Sequence, residues 1–208
     1  MGLKKNAEGA GLHEVAVREY PRDLPGLLAQ LADDDVAVRR WAARDLGEHP
    51  SAAPAVCARL VEEPDASVRA VLFSTAARLG GTAVVQGMIG LLRSEEPALR
   101  NGAIEVMAGL PTLVAPCIDA LLQDADDDVR IFTVNLLGDL RHPQVPQWLK
   151  QVLWTEPQVN VVGAALEVLA EVGGADTLPA LQAVRARFAD DPYIGFSADL
   201  VAERIETA

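Results

Sequence analysis

The chain has 208 residues, half of them hydrophobic and 23% charged, with 30 acidic against 18 basic side chains and a formal charge of −12. That length and apolar content exclude a wholly disordered chain, and the negative charge argues against a surface that grips nucleic-acid phosphates. No apolar run reaches the ~20 residues that span a bilayer, the stretch from Met1 to Val15 lacks the apolar core of a secretory leader, and two cysteines, Cys57 and Cys117, suit a reducing, cytoplasmic setting.

Taken in order, residues 1–20 contain Gly, Lys and Glu and read as a tail, or as a short capping helix near Leu12–Tyr20. A repeat domain over 21–208 follows. Its first unit opens at Pro25, carries Leu27 and Leu31 at helical spacing, and turns at Asp35-Val-Ala-Val-Arg39. The second opens at Pro54 with Val56 and Leu60, and turns at Asp65-Ala-Ser-Val-Arg69. The third has Val85 where the others have proline and turns at Glu96-Pro-Ala-Leu-Arg100. The fourth opens at Pro116 with Ile118 and Leu122, and turns at Asp126-Asp-Asp-Val-Arg130. Two weaker copies open at Pro146 and Pro179 and turn at Glu156-Pro-Gln-Val-Asn160 and Asp191-Pro-Tyr-Ile-Gly195. The marked positions lie 30, 31, 30, 30 and 35 residues apart, each with an acid four residues earlier.

Proline suits the first turn of a helix, where its missing N–H has no intrahelical partner. The acids suit the start of a second helix, where they cap free N–H groups and oppose the positive dipole end. After them, Val38, Ala42 and Leu46, or Val129, Thr133 and Leu137, repeat every three to four residues. Glycines 47, 80, 109, 138 and 173 stand where a left-handed helix terminus would fall. Each unit is therefore helix A, an acidic turn and helix B. Two such helices cannot bury their apolar faces alone, so the units must stack. The expected fold is an all-α, right-handed solenoid of about six helix pairs.

The pattern Asp-x-x-Val-Arg-x-x-Ala-x-x-x-Leu, from Asp35 to Leu46, resembles the HEAT repeat family, and the short period is similar to the bacterial HEAT-like units of phycobilisome lyases. The likeness extends over about residues 21–205. It implies that Arg39, Arg69, Arg100 and Arg130 form a ladder with the acidic turn of an adjacent unit, with Asp35, Asp65, Glu96 and Asp126 as acidic partners. Asn160 and Gly195 break that ladder. The fifth unit looks two residues longer, since Ala165-Leu-Glu-Val-Leu169 echoes Ala103-Ile-Glu-Val-Met107, and the stack should change curvature after the fourth unit.

Chemistry is sparse. The three histidines are scattered, with no pair at ligand spacing, and Asp124-x-Asp126-Asp-Asp128 lacks the glycine and the distal glutamate of a calcium loop. HEAT-like di-iron hydroxylases use several His-Glu pairs, whereas here only His13-Glu14 occurs. No metal and no cofactor are expected. Cys57 and Cys117 read as inert thiols in apolar surroundings, and Trp148 reads as core, with Trp41 and Trp154 partly exposed.

In a HEAT solenoid the B helices line the concave side, as the resemblance implies. Positions one and five after the recurrent arginine point away from the buried stripe. They read Arg40/Arg44, Ala70/Ser74, Asn101/Glu105 and Ile131/Asn135, so their chemistry varies where core and ladder repeat. The candidate partner-binding residues are Arg40, Arg44, Ser74, Asn101, Glu105 and Asn135. The expected function is a monomeric, non-enzymatic adaptor that binds another protein through this groove or the acidic edge, with no nucleic-acid or membrane partner. The alternative is a small-ligand or bilin lyase-like enzyme. That would need convergent Tyr, Arg and Asp, and the only tyrosines are Tyr20 and Tyr193, near the two ends.

Overall fold

Aspartate and proline set where the helices begin. The computed structural model describes residues 21–207, so the tail or capping helix expected at 1–20, with His13-Glu14, lies outside the described residues. Asp23, Asp35, Asp65 and Asp126 each stand just before a helix in extended backbone, and each carboxylate accepts an N–H of the first turn. Asp191 does the same for the last helix, accepting from Tyr193 at 3.0 Å and Ile194 at 3.1 Å.

The helices form six pairs. Helix α1 (Leu24–Gln30) pairs with α2 (Val36–Asp45), and α3 (Ala53–Glu62) with α4 (Ala66–Leu79). Next come α5 (Gly81–Leu91) with α6 (Pro97–Ala108), and α7 (Pro111–Leu121) with α8 (Asp127–Asp139). The series closes with α9 (Val145–Thr155) and α10 (Val159–Val172), then α11 (Leu178–Arg187) and α12 (Pro192–Thr207). Among the described residues there is no strand.

The even-numbered helices contact one another in unbroken order from α2 to α12 and make the B layer. The odd-numbered helices make the A layer. One core runs between them, with Ala42, Leu72, Met107, Leu137 and Leu166 from B helices facing Leu60, Met88, Ile118 and Leu149 from A helices, all buried. The chain is an all-α solenoid in which each unit completes its burial against its neighbours. The A layer loosens between α7 and α9 while α8 and α10 stay closely packed. The A layer is equally open between α1 and α3, so this joint is not singled out by its packing.

Several local expectations shift. Pro25, Pro54, Pro146 and Pro179 do sit in first helical turns. Pro116 does not, because α7 already starts at Pro111 and Pro116 lies inside it. Its side is exposed, where water can satisfy the carbonyl that loses its partner. Of the five glycines, only Gly80 has positive φ, at 59°. Gly47 serves close approach instead: a Cβ there would lie 1.7 Å from Arg78 Nη2, which reaches past it to the Arg44 carbonyl.

The fifth unit is also out of register with the simple pattern. Gln158, not Glu156, takes the cap place before α10. The position four residues after the cap is then Val162, fully buried, and not the exposed Asn160. Trp148 is core at 4% exposure, its ring stacked on His142 with centroids 5.2 Å apart. Trp41 and Trp154 are 39% and 51% exposed.

Candidate functional site on the B-helix face

The arginine ladder frames the site by holding successive units in register. Arg39 Nε and Nη2 donate to both Glu63 carboxylate oxygens at 2.9 and 2.8 Å, and its Nη1 caps the Asp33 and Asp34 carbonyls of its own turn. Arg130 repeats this with Glu156 at 2.8 and 3.0 Å and with the Asp124 carbonyl at 2.7 Å. Arg69 reaches Glu96. Among the described residues no carboxylate pairs with Arg100; it donates to the Ser94 carbonyl and lies over the Phe132 ring, 4.9 Å from its centroid.

So the ladder acids are Glu63, Glu96 and Glu156, each supplied by the following unit; Glu63 and Glu156 stand two residues before a cap, whereas Glu96 stands at the cap place of α6 itself but makes no side-chain cap bond there. Asp35, Asp65 and Asp126 are placed as helix caps. The reason is reach: a cap carboxylate folds back on its own helix, while the residue two before it faces the preceding unit. Past the break, other arginines bind units together through helix C-termini. Arg187 donates to the Leu153 carbonyl at 2.6 Å, and Arg204 binds the carbonyls that end α10.

Burial alone would raise the Glu63 carboxyl, but the bonds from Arg39 and Arg59 and the Asp65 N–H outweigh it and hold it at about 2. The same kinds of contact engage the rest of the turn. Asp124 pairs with Arg93 and accepts from Asp126 N–H, and Asp127 binds Arg130 and the Gln158 amide. Among the described residues no three His, Cys, Asp or Glu side chains gather as a metal site. Cys57 is buried, which pushes its thiol up, and Cys117 is half-buried; both are free.

The row predicted to bind lies on the open side of the B layer. Arg40, Arg44, Ser74, Asn101, Glu105 and Asn135 are all exposed, and only Ile131 of that row is half-buried. Between α4 and α6 the surface sinks into a groove of about 640 Å³. Ala66, Ala70, Ala98 and Gly102 open it, Phe73 forms its apolar floor, and Ser74, Asn101 and Glu105 stand along it. Gly102 is needed there, since a Cβ would sit 2.5 Å from the Phe73 ring. Ser74 spends its hydroxyl proton on the Ala70 carbonyl at 3.0 Å. Among the described residues, no side chain pairs with Arg40, Arg44, Asn101, Glu105 or Asn135. The groove thus brings three of the six together. Arg40 and Arg44 flank it on α2, and Asn135 on α8.

Sequence reasoning missed the far end of the row. Counting from the structural caps, its last two steps are Gly163/Glu167 and Phe196/Leu200. Phe196 and Leu200 are 68% and 53% exposed, and Tyr193 beside them is 52% exposed. For Phe196 and Leu200 the signal was in the sequence, one and five residues after Gly195; for Gly163 and Glu167 the shift of the cap from Glu156 to Gln158 concealed the register.

Among the described residues, no helix is long and apolar enough to cross a membrane. A curated relative, the bilin biosynthesis protein PecE of Mastigocladus laminosus, is 29% identical over 153 residues, covering 71% of this chain and 56% of that protein. The chain therefore spans little more than half the length of that relative. Among solved structures, a HEAT-like repeats protein from the archaeon Thermococcus onnurineus is similar at 17% identity and a TM-score of 0.44, covering 87% of this chain and 86% of that one. The complex of CpcE and CpcF of phycocyanin lyase from Nostoc sp. is similar at 17% identity and a TM-score of 0.37, with 91% and 99% covered. A family model described as HEAT repeats matches residues 24–108 and 114–194. With most of its length matched in this way, the chain belongs to the HEAT repeat family.

Proposed function

We propose that this protein is a non-enzymatic scaffold that binds another protein through its B-helix face, with Arg40, Arg44, Ser74, Asn101, Glu105 and Asn135 as partner contacts. One observation carries the reading. The recurring turn groups are largely engaged in caps and ion pairs, whereas polar side chains beside the α4–α6 groove keep free donors and acceptors. A rigid array offers such groups at little ordering cost, so a few anchors can set specificity. The acidic edge is the weaker docking surface, because Asp33, Glu63, Asp124, Asp127 and Glu156 already satisfy neighbours. The protein works as a monomer in a reducing cytoplasm, which suits its two free cysteines.

The test uses the double variant Arg44→Ala/Asn135→Ala in pull-downs from native lysate, read by mass spectrometry. Its stability should stay within about 0.5 kcal/mol of wild type. Partner affinity should fall by roughly 1–2 kcal/mol. If the variant retrieves the partner unchanged while Glu95→Gln/Asp128→Asn loses it, the acidic edge is the site.

The second reading, a bilin lyase-like role on a partner protein, draws on the similarity to PecE. Two observations weigh on it. The groove holds no tyrosine, and its Arg69 is tied to Glu96. Titration with a linear tetrapyrrole, followed by absorbance, should give no saturable spectral change. A saturable shift abolished by altering Arg69 or Glu105 would favour the lyase-like role.

A further inference from the structure

We infer that the C-terminal end of the B face, built on Tyr193, Phe196 and Leu200 of α12, docks a basic amphipathic segment of a partner protein. This inference rests on the reading of the B face as a binding surface but uses none of the six residues proposed above.

The three side chains fall at i, i+3 and i+7, so they form one stripe along α12. Single exposed apolar residues are ordinary, but a contiguous exposed stripe signals a contact surface. The equivalent row positions in the other B helices are polar, small or mixed: Arg40/Arg44, Ala70/Ser74, Asn101/Glu105, Ile131/Asn135 and Gly163/Glu167. Only α12 places two large apolar side chains there. The packing of α12 does not need them, because Ile194, Ala198 and Val201 already bury its other face.

The charge around the stripe selects the partner. Tyr193 donates its hydroxyl to Glu167 Oε1 at 2.9 Å, which places that carboxylate at one border. Glu203 follows Leu200 by three residues and Phe196 by seven, at the other border, with no cation paired to it among the described residues. The nearby cations are committed elsewhere: Arg185 pairs with Asp199 at 2.6 Å, and Arg204 turns to the Gly173 carbonyl. An apolar stripe between two carboxylates fits apolar side chains flanked by lysine or arginine.

The test is fluorescence anisotropy with a labelled 14-residue amphipathic helical peptide of leucine and lysine. A scrambled peptide of the same composition and a leucine–glutamate counterpart serve as comparisons. The amphipathic basic peptide should bind, and Phe196→Ser/Leu200→Ser should weaken it about ten-fold or more while leaving the scrambled peptide unaffected. Glu167→Gln/Glu203→Gln should weaken it several-fold and flatten its salt dependence. The inference is overturned if Phe196→Ser/Leu200→Ser binds like wild type, or if the acidic peptide binds equally well. It is also overturned if sedimentation shows a wild-type dimer that this variant abolishes, since a second copy then covers the stripe. Arg44→Ala/Asn135→Ala should leave peptide binding unchanged, so failure of the stripe and failure of the groove are read separately.

Discussion

Arg39 and Glu63 join the first two units through a two-pronged contact, with Nε–Oε2 at 2.9 Å and Nη2–Oε1 at 2.8 Å, and both side chains are out of solvent. Paired planar groups fix orientation as well as distance, so this contact holds α2 at a set angle to the turn before α4. Arg130 and Glu156 repeat it at the joint between the fourth and fifth units.

Removing one partner of a buried pair leaves the other charged and unsatisfied. Glu63→Gln should therefore cost on the order of 3–5 kcal/mol in urea unfolding. Arg100→Ala removes no carboxylate partner and should cost clearly less. Equal losses in the two variants would show that the pairing itself contributes little.

Stability should also depend on acid. The Glu63 carboxyl is held at about 2 against an ordinary 4.5. A group depressed by folding adds stability that is complete above its unfolded pKa and is lost as pH falls through the folded one. Unfolding midpoints should thus drop as pH is lowered from about 4.5 toward about 2. In Glu63→Gln that part of the slope should be missing. An unchanged slope would assign the acid sensitivity to other carboxylates.

Trp148 fills the core of the fifth unit at 4% exposure and stacks on His142. Trp148→Ala should cost about 3–5 kcal/mol, the usual loss for a buried aromatic. A loss below about 1 kcal/mol in the same assay would mean the neighbouring helices close over the gap.

Gly102→Ala tests the groove without removing a polar group. The new methyl collides with the Phe73 ring 2.5 Å away, and the ring must move into the groove. Better helix propensity offsets the collision by up to about 1 kcal/mol, so stability should change little. Partner recovered in pull-downs should fall sharply. Undiminished recovery from a folded variant would place the contact elsewhere on the B face.

The fold was legible because it is repetitive. Asp35, Asp65 and Asp126 cap helices as their spacing implies, and the apolar periods of Leu60, Ile118 and Leu137 are the core observed. The exposure of Arg40, Arg44, Ser74, Asn101, Glu105 and Asn135 also follows from local period, since a residue's side of a helix is set by its offset from the buried stripe. Pro116 was less legible. Proline can start a helix or be tolerated on its open side, and only the start at Pro111 decides between them.

What the sequence determined by itself is therefore most of what depends on spacing within one unit: helix, turn and buried stripe, and the cap wherever the acid keeps its register, as at Asp35, Asp65 and Asp126 but not at Glu156. What only the tertiary structure decided depends on distances between units. Arg39 could have met Asp65 or Glu63, two residues apart on one turn, and the choice rests on which carboxylate is free of its own helix N-terminus. The groove between α4 and α6 depends on Gly102 of α6 admitting the Phe73 ring of α4, twenty-nine residues earlier, and on the small Ala70 and Ala98 beside it. Phe196 and Leu200 follow Gly195 by one and five residues, but that they stay uncovered, with Tyr193 bound to Glu167 of α10 beside them, depends on how α12 packs on α10. Such relations depend on how rigid bodies pack, and helix period alone does not encode them.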